Sequence, residues 1–141
     1  MKFSVHLGFS ILLAALFFPV FGWNSLLILA GGVLVDADHY IYYVFRFKKF
    51  NPFQCNKYFT EDGKNSDYHV FDGLVLVFHT LEFLILMIVL SFYSKLALAL
   101  TVGIIGHYLL DFIMFYFFIK RSILNYSIIW WIIKANSKSF K

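Results

Sequence analysis

The chain has 141 residues, of which 61% are hydrophobic, 22% aromatic and only 14% charged, with a formal charge of +4. Soluble domains carry roughly 25% charged residues, so this balance excludes an ordinary soluble domain, and its size leaves room for a single transmembrane domain over residues 1–141. The basic excess marks a membrane side rather than a nucleic-acid surface, and no nucleic-acid partner is expected.

Apolar windows long enough to cross about 30 Å of hydrocarbon fall at about 3–22, 25–46, 69–93 and 96–119. The first follows Lys2 and imitates a secretory signal, but its length and the lack of a small-x-small site before Trp23 favour an uncleaved helix. A tight turn around Gly22 to Ser25 makes the second span antiparallel to the first. A polar loop at about 47–68 follows, read as surface chain, with Cys55 in it and no second cysteine to pair with. The third and fourth spans are joined by a short turn at 91–95. A final apolar segment at about 122–135, with Trp130 and Trp131 before Lys134, is too short to span and reads as an interfacial or re-entrant helix. The expected fold is therefore all-α: an integral membrane four-helix bundle with a short C-terminal interfacial helix.

With four spans, eleven of the twelve Lys and Arg residues fall on one side and only Lys95 on the other. The positive-inside rule then puts both termini and the long loop in the cytoplasm of a cell-membrane protein. Gly31, Gly32, Ala99, Gly103 and Gly106 are small residues that let helix backbones approach one another.

Four acids lie deep in these apolar windows: Asp36, Asp38, Glu82 and Asp111, with His39, His79 and His107 beside them. Each carboxylate at the bilayer centre costs roughly 2.5–3.5 kcal/mol unless neutralised. No Lys or Arg sits at that depth. Protons or a bound cation must do it. Helical spacing pairs Asp36 with His39, His79 with Glu82, and His107 with Asp111 on shared faces. Counting about 1.5 Å per residue from the basic ends puts them at roughly 10–20 Å depth on three helices. Imidazole and carboxylate one turn apart on facing helices are how bundles bind Zn, Mn or Fe, and Zn is the expected ion. The metal ligands are read as Asp36, Asp38, His39, His79, His107 and Asp111. Asp38 stands about 200° around an ideal helix from Asp36, so either one of the two serves another role or the helix is distorted there. His69 and Asp72 form a further pair at the mouth of the third span, and His6 reads as a packing histidine within reach of His39.

The strings Gly31-Gly32-Val-Leu-Val-Asp36-Ala-Asp38-His39 and Gly106-His107-Tyr-Leu-Leu-Asp111, with His6 before them and His79 between, resemble the signatures of a bacterial and archaeal integral-membrane family of predicted metal-dependent hydrolases, the LexA-binding inner-membrane-associated type. Val35 stands where that family has proline, and the His-Arg-Gly signature before the third span is absent. The resemblance implies metal-assisted hydrolysis at the cytoplasmic side, and the half-buried site suits a lipid or other amphiphilic ester or phosphoester. Glu82, one turn from His79, is then the expected general base. The rival readings are a metal-ion or proton transporter and a non-catalytic membrane protein with a structural metal.

Overall fold

A computed structural model describes residues 3–62, 74–114, 116 and 127–138. The described chain is helical throughout its regular elements: α1 Phe3–Phe21, α2 Leu26–Leu34, α3 Ala37–Phe47, α4 Pro52–Lys57, α5 Leu81–Ser91, α6 Lys95–Met114 and α7 Ile128–Lys138, with 3-10 turns at Gly22–Ser25 and Val77–His79. The helical run Phe3–Phe47 and helix α6 are each long and apolar enough to cross a membrane.

The Phe3–Phe47 run is a hairpin rather than one rod. Gly22 takes a left-handed φ of +56°, which reverses the chain and lays α2 back along α1. Ser10 of α1 then meets Gly32 of α2, and Ala14, Phe21 and Ile28 share one buried cluster with Ala99 of α6. Helix α6 runs parallel to α2, since the Ile28 carbonyl lies against Gly103 and the Gly32 carbonyl against His107, with the numbers rising together. The approach is close enough that a Cβ on Gly31 would collide with the Leu100 carbonyl oxygen, and one on Gly103 with that of Ile28. The small residues therefore serve packing.

Two expected spans are not continuous helices. The second breaks at Val35 and Asp36, where Asp36 N–H bonds to the Val33 carbonyl and His39 N–H to that of Asp36, two i to i+3 bonds that tighten the chain between α2 and α3. In the third, residues 74–76 have no helical structure, Val77–His79 form one 3-10 turn, and Thr80 is extended at φ −97° and ψ 152°. Helix α5 starts only at Leu81, with the Thr80 hydroxyl accepting from Phe83 N–H at 3.4 Å. Its 11 residues reach about 16 Å, roughly half of a bilayer core. A short turn then leads into α6, where Thr101 Oγ1 donates to the Met87 carbonyl and ties the two helices together.

The polar loop also holds more structure than surface chain would. Asn51 caps α4, its side chain accepting from Phe53 and Gln54 N–H, and Pro52 fits the first helical position. A π turn follows at Tyr58–Asp62. Tyr58 packs on Tyr43 and Phe47, and the Phe59 ring lies edge-on to His39 at 4.6 Å. Cys55 is buried beneath α3, with Sγ 3.8 Å from the His39 carbonyl, and burial together with the Asp36 charge pushes its thiol up to about 11. His69 and Asp72, the loop from 63 to 68, and residues 117–119 of the expected fourth span lie outside the described residues.

Candidate metal centre

Four elements bring ionisable groups to the end of the hairpin opposite Gly22. His6 comes from the first turns of α1, Asp36, Asp38 and His39 from the α2–α3 junction, His79 from the 3-10 turn before α5, and His107 and Asp111 from α6. His6, His79 and His107 are all but inaccessible at 1%, 2% and 1% exposure. Among the described residues no Lys or Arg pairs with these carboxylates; their charged partners are histidines.

The hydrogen bonds fix which ring nitrogen carries the proton. His107 Nδ1 lies 2.8 Å from the Gly32 carbonyl, an acceptor only, so Nδ1–H donates and Nε2 of the neutral ring keeps its lone pair. His79 Nδ1 donates likewise to Asp38 Oδ2 at 3.1 Å. The two bare Nε2 atoms then face each other at 3.3 Å. Asp36 Oδ1 lies 3.7 Å from His79 Nε2 and 3.6 Å from His107 Nε2, and Asp111 Oδ2 lies 3.7 and 3.3 Å from the same two atoms. Ligand atoms about 2.0–2.1 Å from a central ion stand about 3.3 Å apart in a tetrahedron, and these five separations of 3.3 to 3.7 Å are of that order. Two lone pairs and two carboxylate oxygens otherwise repel one another, and a cation or a shared proton removes that repulsion. These buried His and Asp groups could hold a metal ion.

Asp38 has a different task. Its Oδ2 accepts from both His79 Nδ1 and Phe78 N–H, at 3.1 and 3.0 Å, and its Oδ1 accepts from His39 Nδ1 at 3.1 Å. It grips the far edge of His79 while Asp36 faces the near edge. The roughly opposite directions that a helix gives the two acids are thus both used, and both oxygens of Asp38 are occupied. A carboxylate on the back of a ligating imidazole sets its tautomer and orientation. A second grouping, Asp38 with His39 and His79, also lies within ligand reach, but it would take Asp38 from the Phe78 N–H and His79 from its orienting bond. His39, 21% exposed, sits at the rim, with Nδ1 also 3.4 Å from Asp36 Oδ1.

Two expectations are corrected. Glu82 does not turn toward the cluster: its oxygens accept from Ser127 Oγ at 2.6 Å and from the N–H groups of Ile128 and Ile129 at 3.3 Å, at the start of α7. The extended Thr80 breaks the helical relation between His79 and Glu82 on which the pairing relied, and free N–H groups at a helix N-terminus are a natural seat for a carboxylate. His6 does not approach His39 but stacks on His107, centroids 4.0 Å apart and planes 16° apart, with Nε2 3.3 Å from Asp111 Oδ1. That approach is not along a hydrogen-bond direction, and both His6 ring nitrogens are buried without a hydrogen-bond partner.

Tyr108 was not singled out from the sequence. Its hydroxyl donates to the carbonyl oxygens of Phe78 and Thr80, at 2.7 and 3.0 Å, and so holds the non-helical segment that presents His79. A tyrosine beside a span histidine, needing a partner for its polar tip, was the available signal. Thr80 ahead of an apolar run was another, a helix start masked by the apolar residues before it. In comparisons with known proteins, no family model, no curated protein and no solved structure matches the chain.

Proposed function

We propose that the protein is an integral membrane four-helix bundle with both termini in the cytoplasm, acting as a metal-dependent hydrolase on a lipid or other amphiphilic ester or phosphoester. The observation that carries this reading is the pair of bare imidazole nitrogens, His79 Nε2 and His107 Nε2, facing each other beside Asp36 and Asp111 while acceptors hold the opposite edge of each ring. Zinc suits two imidazoles and a carboxylate with one position left open to water, with Mn or Fe as the alternatives.

A bound divalent ion supplies an acidified water and a Lewis acid for a carbonyl or phosphoryl oxygen. His79, His107 and Asp111 would hold it, leaving one position to a water beside Asp36. Asp38 and the Gly32 carbonyl keep the two rings in the ligating tautomer. Asp36 takes over the proton-accepting role expected of Glu82, because its side chain is 24% exposed against 9% for Asp38 and 12% for Asp111. The substrate approaches over this Asp36 and His39 edge. A hydrocarbon-bearing substrate is favoured by the apolar exterior, including exposed Leu34, Ile41 and Phe45 near the junction and Ile129, Trp130 and Ile133 on α7.

Transport of the ion or of protons needs a polar route to the far side. Ala14, Phe21, Ile28 and Ala99 fill the other half of the bundle, which speaks against one. Purified protein should carry bound metal and turn over a member of a lipid panel, with Asp36→Asn abolishing turnover. Metal uptake into sealed vesicles without hydrolysis of any panel member would replace this reading with the transporter.

A further inference from the structure

The ring geometry distinguishes two kinds of neighbour for His107. His79 meets it at 71° between planes with the two Nε2 atoms 3.3 Å apart, so that both in-plane lone pairs can converge on one ion. His6 lies flat against it at 16° and 4.0 Å. Stacked rings aim their lone pairs along parallel planes separated by the thickness of a ring, so a single ion cannot lie in both. His6 nevertheless is 1% exposed, has no hydrogen-bond partner on either nitrogen, and brings Nε2 to 3.3 Å from Asp111 Oδ1. Asp111 meanwhile turns its other oxygen, Oδ2, to His107 and His79.

We propose that the centre is binuclear: Asp111 bridges two divalent cations, one held by His79, His107 and Asp111 Oδ2 with Asp36 beside it, the other by His6 Nε2 and Asp111 Oδ1. The ring spacing of 4.0 Å agrees with the roughly 3.5–4 Å between ions in two-metal hydrolytic sites. His6, His107 and Asp111 lie within ligand reach of one another; with the His107 lone pair given to the first cation, His6 and Asp111 hold the second, and its remaining positions are open to water or to a substrate oxygen. Orphaned polar atoms in a buried site are costly, and a cation at His6 Nε2 removes that cost for one of the two ring nitrogens. This inference rests on the metal-centre reading above.

The test is a titration of Mn²⁺ into the chelator-stripped, detergent-solubilised full chain, read by bound stoichiometry and by electron paramagnetic resonance. Wild type should take up two equivalents, the second producing the multiline signal of a spin-coupled pair. His6→Gln should bind one equivalent with an uncoupled signal, and His39→Gln should keep the coupled pair. Saturation of wild type at one uncoupled equivalent would overturn the binuclear centre, whatever the folding of the variants. So would a coupled pair that survives in His6→Gln, or one lost in His39→Gln and kept in His6→Gln. A wild type that binds no Mn²⁺ at all would instead overturn the metal centre as a whole.

Discussion

At the Gly22 end of the protein, unbroken helices meet through Ala14, Phe21, Ile28, Ala99 and the backbone contacts of Gly31 and Gly103; at the other end the same chain is broken at Val35–Asp36 and again at Leu76–Thr80, and His6, Asp38, His79, Thr80, His107 and Asp111 are buried there. At the first end the buried cluster is apolar and the Thr101 hydroxyl is satisfied by the Met87 and Ala97 carbonyls, so small side chains and close approach suffice. At the second, irregular backbone is tolerated because side chains take over its hydrogen bonds: Asp38 accepts from Phe78 N–H, and Tyr108 donates to the Phe78 and Thr80 carbonyls. The close-packed half fixes the α2–α6 spacing, and with it the Gly32 to His107 bond that orients one ligand. The broken half gains the freedom to bring His79 in from a third direction.

That contrast can be broken from either side. His79→Ala removes one of four convergent groups and should lower metal affinity by more than the roughly 10–100-fold that loss of an orienting partner costs, measured by competition with a chromogenic chelator. Retained affinity would move the site elsewhere. Gly103→Ala attacks the packed half: its Cβ meets the Ile28 carbonyl and Gly32 N, backbone atoms with no easy retreat, and should destabilise the fold by about 1–3 kcal/mol in denaturant unfolding. Because Gly32 also carries the bond to His107, metal affinity should fall with it. Asp38→Asn tests the orienting role: metal remains bound, but about 10–100-fold more weakly. Complete loss would make Asp38 a ligand instead. Glu82→Gln should leave metal content unchanged and loosen only α7, seen as faster amide exchange at Ile128 and Ile129. Finally, with its thiol raised to about 11, Cys55 should react with maleimide at pH 7.5 far more slowly than an exposed cysteine, and a normal rate would show that α4 does not stay packed on α3.

Much of this division was legible in the residues. The apolar windows mark the helices of the hairpin and α6, and the spacings of Asp36 with His39 and of His107 with Asp111 survive as contacts of 3.4 and 3.3 Å. The break at Asp36 was one of the two readings its angle to Asp38 left open; what periodicity could not show was the second, since Leu76, Val77 and Phe78 are as apolar as the helix that follows, and hydropathy does not distinguish an extended segment from a helical one when both are buried. The Glu82 expectation failed for that reason: an i to i+3 argument holds only inside a continuous helix, and Thr80 ends it. Asp38 was the opposite case. Its wrong angle for a shared ion was visible in the numbering, and it reports the grip on the back of His79.

The account stands or falls on whether His79 and His107 meet through a cation. Elemental analysis of the purified wild type beside His107→Ala tests this directly: wild type should retain at least one equivalent of Zn, Mn or Fe and the variant should lose it. Metal-free wild type, or a His107→Ala protein with its metal content unchanged, would contradict it.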